Sequence, residues 1–145
     1  MKNHQQVLVS VMGWTHDDDE PSDSVRLLTT GVLSGDGDAW RIEYTETQPD
    51  NESNHVALTL SGGTVTMQRT GAFSTSMVFE QGRRFDGNYQ TPYGDMAMGV
   101  YATHVNYKVE RGPVGQVSLT YQLDLQGQFA AMHELRIRFC PAGKQ

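Results

Sequence analysis

Apolar side chains recur at every second position over most of this chain, and a period of two leaves little to fold into except β-sheet with one greasy face. Val7, Val9 and Val11 open the pattern. Trp40, Ile42 and Tyr44 alternate with Arg41, Glu43 and Thr45, and Val56, Leu58 and Leu60 are followed after a turn by Val65 and Met67. The longest run sets Val117, Leu119, Tyr121, Leu123 and Leu125 against Ser118, Thr120, Gln122, Asp124 and Gln126. A final run sets His133, Leu135, Ile137 and Phe139 against Glu134, Arg136 and Arg138. Strands with one buried and one wet face are what antiparallel sheets require.

Turn residues divide these runs at short intervals. Gly35-Asp36-Gly37-Asp38, Gln48-Pro49-Asp50-Asn51, Thr91-Pro92-Tyr93-Gly94 and Arg111-Gly112-Pro113 each carry the glycine, proline or Asx residues of a reverse turn. Ser61-Gly62-Gly63-Thr64 reads as a tight hairpin, because paired glycines supply the positive φ that primed turns demand. The expected strands are about ten, near residues 5–15, 24–34, 39–47, 54–60, 64–70, 73–81, 84–91, 95–107, 115–126 and 131–140. Residues 129–136 are rich in helix formers, but their alternation through Phe139 outweighs that weak preference. The acidic stretch Asp17 to Asp23 reads as a solvated first hairpin loop, without the ligand spacing of a calcium loop. Consecutive hairpins predict an all-β, up-and-down antiparallel barrel of eight to ten strands, since closure removes the sheet edges that would otherwise lie exposed.

A chain of 145 residues makes one domain, 1–145, able to bury a core without disulfide or metal. The net charge of −6, from 17 acidic and 11 basic residues, lacks the basic footprint of nucleic-acid binding. One cysteine, Cys140, cannot form an internal bridge. No apolar run is long enough to span a membrane, and Val7 to Val11 is too short for a signal segment. The expectation is a soluble, cytoplasmic protein.

Chemistry is sought where the inner stripes carry polar residues. In a meander the third and fifth strands run the same way with one strand between them. Extending Trp40, Ile42, Tyr44 by two residues reaches Glu46, and extending Val65, Met67 reaches Arg69. Strands about 4.8 Å apart put the two backbones roughly 10 Å apart, within reach of two long side chains. Tyr89, on the inner stripe of the seventh strand, and His133, at the start of the tenth, are expected at the same rim. Glu46, Arg69, Tyr89, Tyr44, Met67 and His133 are thus the candidate ligand-binding set, with Glu46, Arg69 and Tyr89 as the candidate catalytic residues. The plainer reading of Glu46 and Arg69 is a structural ion pair that plugs the mouth, with Tyr89 and His133 as packing. The five histidines show no metal-ligand spacing. Haem on His104 or His133 is set aside, and no cofactor is expected.

The ordered set Leu58-x-Leu60, Val65-x-Met67-x-Arg69-x-Gly71, Met77-x-Phe79-Glu80-x-Gly82 and Tyr89-x-Thr91-Pro92-x-Gly94-x-Met96-x-Met98 resembles the YwiB-like family, a domain of unknown function, DUF1934. Tyr44-x-Glu46 upstream and the run from Gly115 to Leu123 downstream extend the resemblance over nearly the whole chain, except the acidic first loop and the tail after Phe139. It implies a lipocalin-like (calycin-type) barrel in a bacterial cytoplasm and no activity. Three functional readings follow. The first is a module that holds a small, partly apolar, anionic ligand between Arg69 and the aromatic wall. The second is a cofactor-free enzyme with Glu46 as acid/base, Arg69 as clamp and Tyr89 as proton donor. The third is a non-catalytic interaction protein, such as a homodimer.

Overall fold

The computed structural model describes residues 3–17, 20–47, 53–71 and 74–142. Among them the chain forms ten strands and no helix. The first five are β1 (Asn3–Asp17), β2 (Glu20–Asp36), β3 (Ala39–Thr47), β4 (Ser53–Ser61) and β5 (Thr64–Thr70). The second five are β6 (Ser74–Phe79), β7 (Arg84–Thr91), β8 (Gly94–Glu110), β9 (Val114–Leu125) and β10 (Gln128–Pro141). Each strand pairs antiparallel with its neighbour in sequence, and β1 pairs with β10, so the sheet closes into a lipocalin-like barrel. The expected fold is the observed one.

Strands β3, β5 and β7 begin and end where the alternation places them. The first hairpin differs from expectation. Backbone pairing continues from Thr15↔Asp23 to Asp17↔Glu20, so most of the acidic stretch is strand and not loop. A ladder satisfied by backbone groups accepts polar residues readily. Asp18 and Asp19 lie outside the described residues.

Two irregularities redirect the stripes. In β8 the register shifts between Ala102 and His104. Inward positions are therefore Met98, Val100 and Ala102 before the bulge and Val105, Tyr107 and Val109 after it. His104, once weighed as a haem ligand, is thereby left exposed on the outer wall. In β10 a shift between Phe129 and Ala131 leaves Phe129 exposed and Ala131 buried.

The core is the barrel interior, where Leu33, Ile42, Leu58, Leu60, Met67 and Phe79 are all but completely buried. The glycines on inward stripes mark close approaches. A Cβ on Gly115 would stand 2.3 Å from the Phe139 ring, and Gly115 faces Phe139 directly across the ladder. No helix of the described residues is long and apolar enough to cross a membrane.

Candidate functional site

The interior changes character along its length. Trp40, Leu60, Val65 and Phe79 are joined through successive ladders, and so are Ile42, Leu58, Met67 and Met77, all apolar. The next level joins Tyr44, Val56, Arg69, Thr75, Tyr89 and Met96 across six strands, and one step further Glu46 faces Asn54. Parity along a strand carries the alternation past the last apolar residue, so the polar groups at this end face inward for the same reason that Leu58 does.

Arg69 reaches across β4 and donates its Nε–H to Glu46 Oε1 at 2.6 Å. The side chains of Arg69 and Glu46 are 27% and 17% exposed, so the pair is only partly screened by water. Tyr44 lies beneath it, 3% exposed. Burial pushes its phenol well above the usual range, the charge of Glu46 adds to that, and Arg69 opposes it. Tyr44 is thus a protonated hydroxyl throughout the physiological range.

Three further residues belong to this end. Asn54 is 5% exposed and its Oδ1 accepts no hydrogen bond among the described residues. Gly71, at φ +152°, makes room for that oxygen, since a Cβ there would overlap it. Thr75 is buried and donates its hydroxyl to Met98 Sδ at 3.7 Å. Tyr121 packs between Phe79 and His133, with ring centroids 4.8 Å and 5.2 Å away. Burial pushes the Tyr121 phenol up to about 12, against the opposing charge of Arg69.

The six residues singled out from the sequence therefore do not form one cluster. Glu46 and Arg69 are bonded, Tyr44 lies directly below, and Tyr89 shares the ladder of Arg69 two strands away. Met67 is one level deeper and belongs to the apolar core. His133 is not at the rim beside the ion pair. It stacks on Tyr121 at an interplanar angle of 13°, and its Nδ1 lies 3.3 Å from Thr15 Oγ1. The strand β10 starts five residues before it, which carries the ring inward. Asn54, Thr75 and Tyr121 were missed as site residues. Extending the stripe Val56, Leu58, Leu60 backward by two residues reaches Asn54, as the same rule reached Glu46.

Burial lowers the His133 pKa below its usual 6.5, and the nearby His16 adds to the effect. The unfolded chain therefore takes up a proton at His133 before the folded protein does. Stability from this group is complete above about pH 6.5 and falls as the pH drops towards the folded value. Urea midpoints measured between pH 7.5 and pH 5 are expected to fall less steeply for His133→Gln than for the unaltered protein. Identical slopes would contradict the assignment.

The wall is thinnest between β6 and β7. These strands keep only the pairs Ser74↔Gln90 and Thr75↔Tyr89. A surface cavity of about 290 Å³ lies over this seam, lined mainly by outward residues such as Gln68, Thr70, Asn88 and Gln90, with Arg69 and Thr75 also on its border. Among the described residues no group of three or more His, Cys, Asp or Glu side chains is arranged to hold a metal ion.

The comparisons with known proteins bear on the fold and on the family. No curated protein matches the chain. A solved structure, the crystal structure of ywiB protein from Bacillus subtilis, superposes with a TM-score of 0.84. It covers 97% of this chain and 94% of that one at 17% identity, a likeness that shows the fold alone. The family profile described as Domain of unknown function (DUF1934) matches residues 9–137. With nearly the whole barrel inside that match, from β1 to β10, the chain belongs to the DUF1934 family.

Proposed function

We propose that this barrel is a small-molecule binding module, holding a partly apolar ligand with an anionic group at the polar end of its interior. The observation that carries the reading is the buried polar set at one end of an otherwise apolar core. Glu46, Asn54, Arg69 and Thr75 all face inward there, and Asn54 Oδ1 has no partner among the described residues. An unpaired buried acceptor costs about 1–3 kcal/mol, and folding alone would be served by an apolar residue in its place. Arg69 spends its Nε–H on Glu46, while its terminal amino groups carry four more N–H donors suited to a carboxylate or phosphate. Arg69 also borders the surface cavity over the β6–β7 seam, the thinnest part of the wall and the route we assign to ligand entry. The aromatic rings of Tyr89 and Tyr121 supply the apolar contact. Sites of this kind are concave and greasy, with few polar groups.

The double variant Glu46→Leu/Arg69→Met separates the site from a structural plug. Replacing a buried pair by apolar groups of similar size is often neutral or stabilising. The variant is therefore expected to fold with close to the original stability. Native mass spectrometry of the purified protein, and melting curves against a library of small carboxylates and phosphates, provide the readout. A ligand at about a hundred times its Kd adds roughly 2.7 kcal/mol. For a domain of this size that is a rise in Tm of about 5–10 °C, expected for the unaltered barrel and absent from the double variant. A folded barrel that carries no extra mass and responds to no member of the library contradicts the proposal. So does a response that the double variant retains.

A further inference from the structure

The outer wall formed by β2, β1, β10, β9 and β8 collects cations that lack a counter-charge. Arg41, Arg69, Arg83, Arg84 and Lys108 each meet a carboxylate. Among the described residues Arg26, Arg111, Arg136 and Arg138 do not. Arg26 and Arg136 flank Met12 from either side, Arg138 faces Ser10, and Arg111 stands in the turn after β8. Arg136 lies 5.7 Å over the Trp14 ring, an aromatic partner that leaves its charge in place, so in a chain of net charge −6 the four arginines make this wall locally positive.

That wall is also grooved. A cavity of about 520 Å³ is bounded by Leu8 on β1, Arg138 and Cys140 on β10, Val114 on β9 and, on β8, Lys108 with the Glu110 carboxylate it pairs with. A smaller one, of about 250 Å³, is lined by His104, Ser118, Arg136 and Arg138. Arg138 borders both. Leu8 and Val114 remain 37% and 46% exposed at the larger groove, so apolar surface stands in water beside the Arg138 guanidinium.

We propose that this groove binds an anionic amphiphile, a phosphate or carboxylate headgroup on a short apolar chain. The headgroup pairs with Arg138, which meets no carboxylate among the described residues, and the chain lies along Leu8 and Val114. The volume falls within the range of small-molecule sites, and cation and apolar lining meet in one concavity as such a ligand requires. A second copy of the protein fits poorly, because a two-fold interface would press this positive face against itself. The site is separate from the one proposed in the interior. Leu8, Val114, Arg138 and Cys140 are exposed on the outer face of the wall, whereas Tyr44, Glu46 and Arg69 face the interior.

Cys140 is the chain's only cysteine, is exposed and lines the groove, so its alkylation reads occupancy directly. With octyl phosphate at about ten times its Kd, roughly a tenth of the grooves are open, and alkylation by iodoacetamide should slow about ten-fold. The readout is the ratio of rates with and without the amphiphile, followed by intact mass. Arg138→Glu is expected to bring that ratio close to one, whereas Arg83→Gln, away from the wall, should leave it unchanged. Equal protection by octanol, or by inorganic phosphate alone, overturns the proposal by removing one half of the ligand. Protection that survives Arg138→Glu, no protection at all, or protection by raised protein concentration without amphiphile overturns it as well.

Discussion

Arg69→Met is expected to destabilise the barrel by about 2–3 kcal/mol, somewhat below the 3–5 kcal/mol typical of a fully buried pair. Glu46 would be left largely buried, 17% exposed, without the guanidinium that now donates to it at 2.6 Å. With a urea m value of about 1–3 kcal/mol/M, the unfolding midpoint should drop by on the order of 1 M. The double variant Glu46→Leu/Arg69→Met should recover most of that loss, because the cost belongs to the unpaired charge. A single variant within about 0.5 kcal/mol of the unaltered protein would mean that water already solvates Glu46. In that case the mouth would be open rather than enclosed.

Phe79→Ala should have the largest effect of any substitution considered, about 3–5 kcal/mol. Phe79 is fully buried and lies 4.8 Å from Tyr121, which in turn stacks on His133. Its removal leaves a cavity that a closed barrel cannot collapse into, since every strand is held by two neighbours. It also removes the aromatic neighbour that fixes Tyr121, an interaction of about 0.5–1.5 kcal/mol beyond area burial. Phe129→Ala is the control, because that ring is 47% exposed on the outer side of the β10 bulge. A surface change of that kind is expected to stay within about 0.5 kcal/mol. Comparable urea midpoints for the two variants would place Phe79 outside the core that the barrel depends on.

Much of the candidate site was legible because parity is a local property. Glu46 and Arg69 were reached by continuing two apolar stripes past their last apolar member, and the two side chains meet. Asn54 escaped only because its stripe was counted from Val56 onward. His133 illustrates the limit. Its inward face followed from alternation with Leu135 and Ile137, but its height in the barrel did not. That height depends on where β10 starts, on the shift between Phe129 and Ala131, and on the register with β1 that sets His133 opposite Thr15. The bulge at Ala102/His104 has the same character. It turns His104 outward and lets Val105, Tyr107 and Val109 line the core.

The amino-acid sequence by itself determined which segments are strands and which face of each is buried, because both depend on side-chain period and on turn residues a few positions away. It also determined that Glu46 and Arg69 share one interior. Only the tertiary structure decided the level at which ten strands meet, since register is set by pairing summed around a closed ring. That register bonds Glu46 to Arg69, stacks His133 on Tyr121, and gathers Arg26, Arg136 and Arg138 on one outer wall. Those three arginines come from two strands far apart in the chain, β2 and β10, which are brought together only because β1 lies between them and closes the barrel.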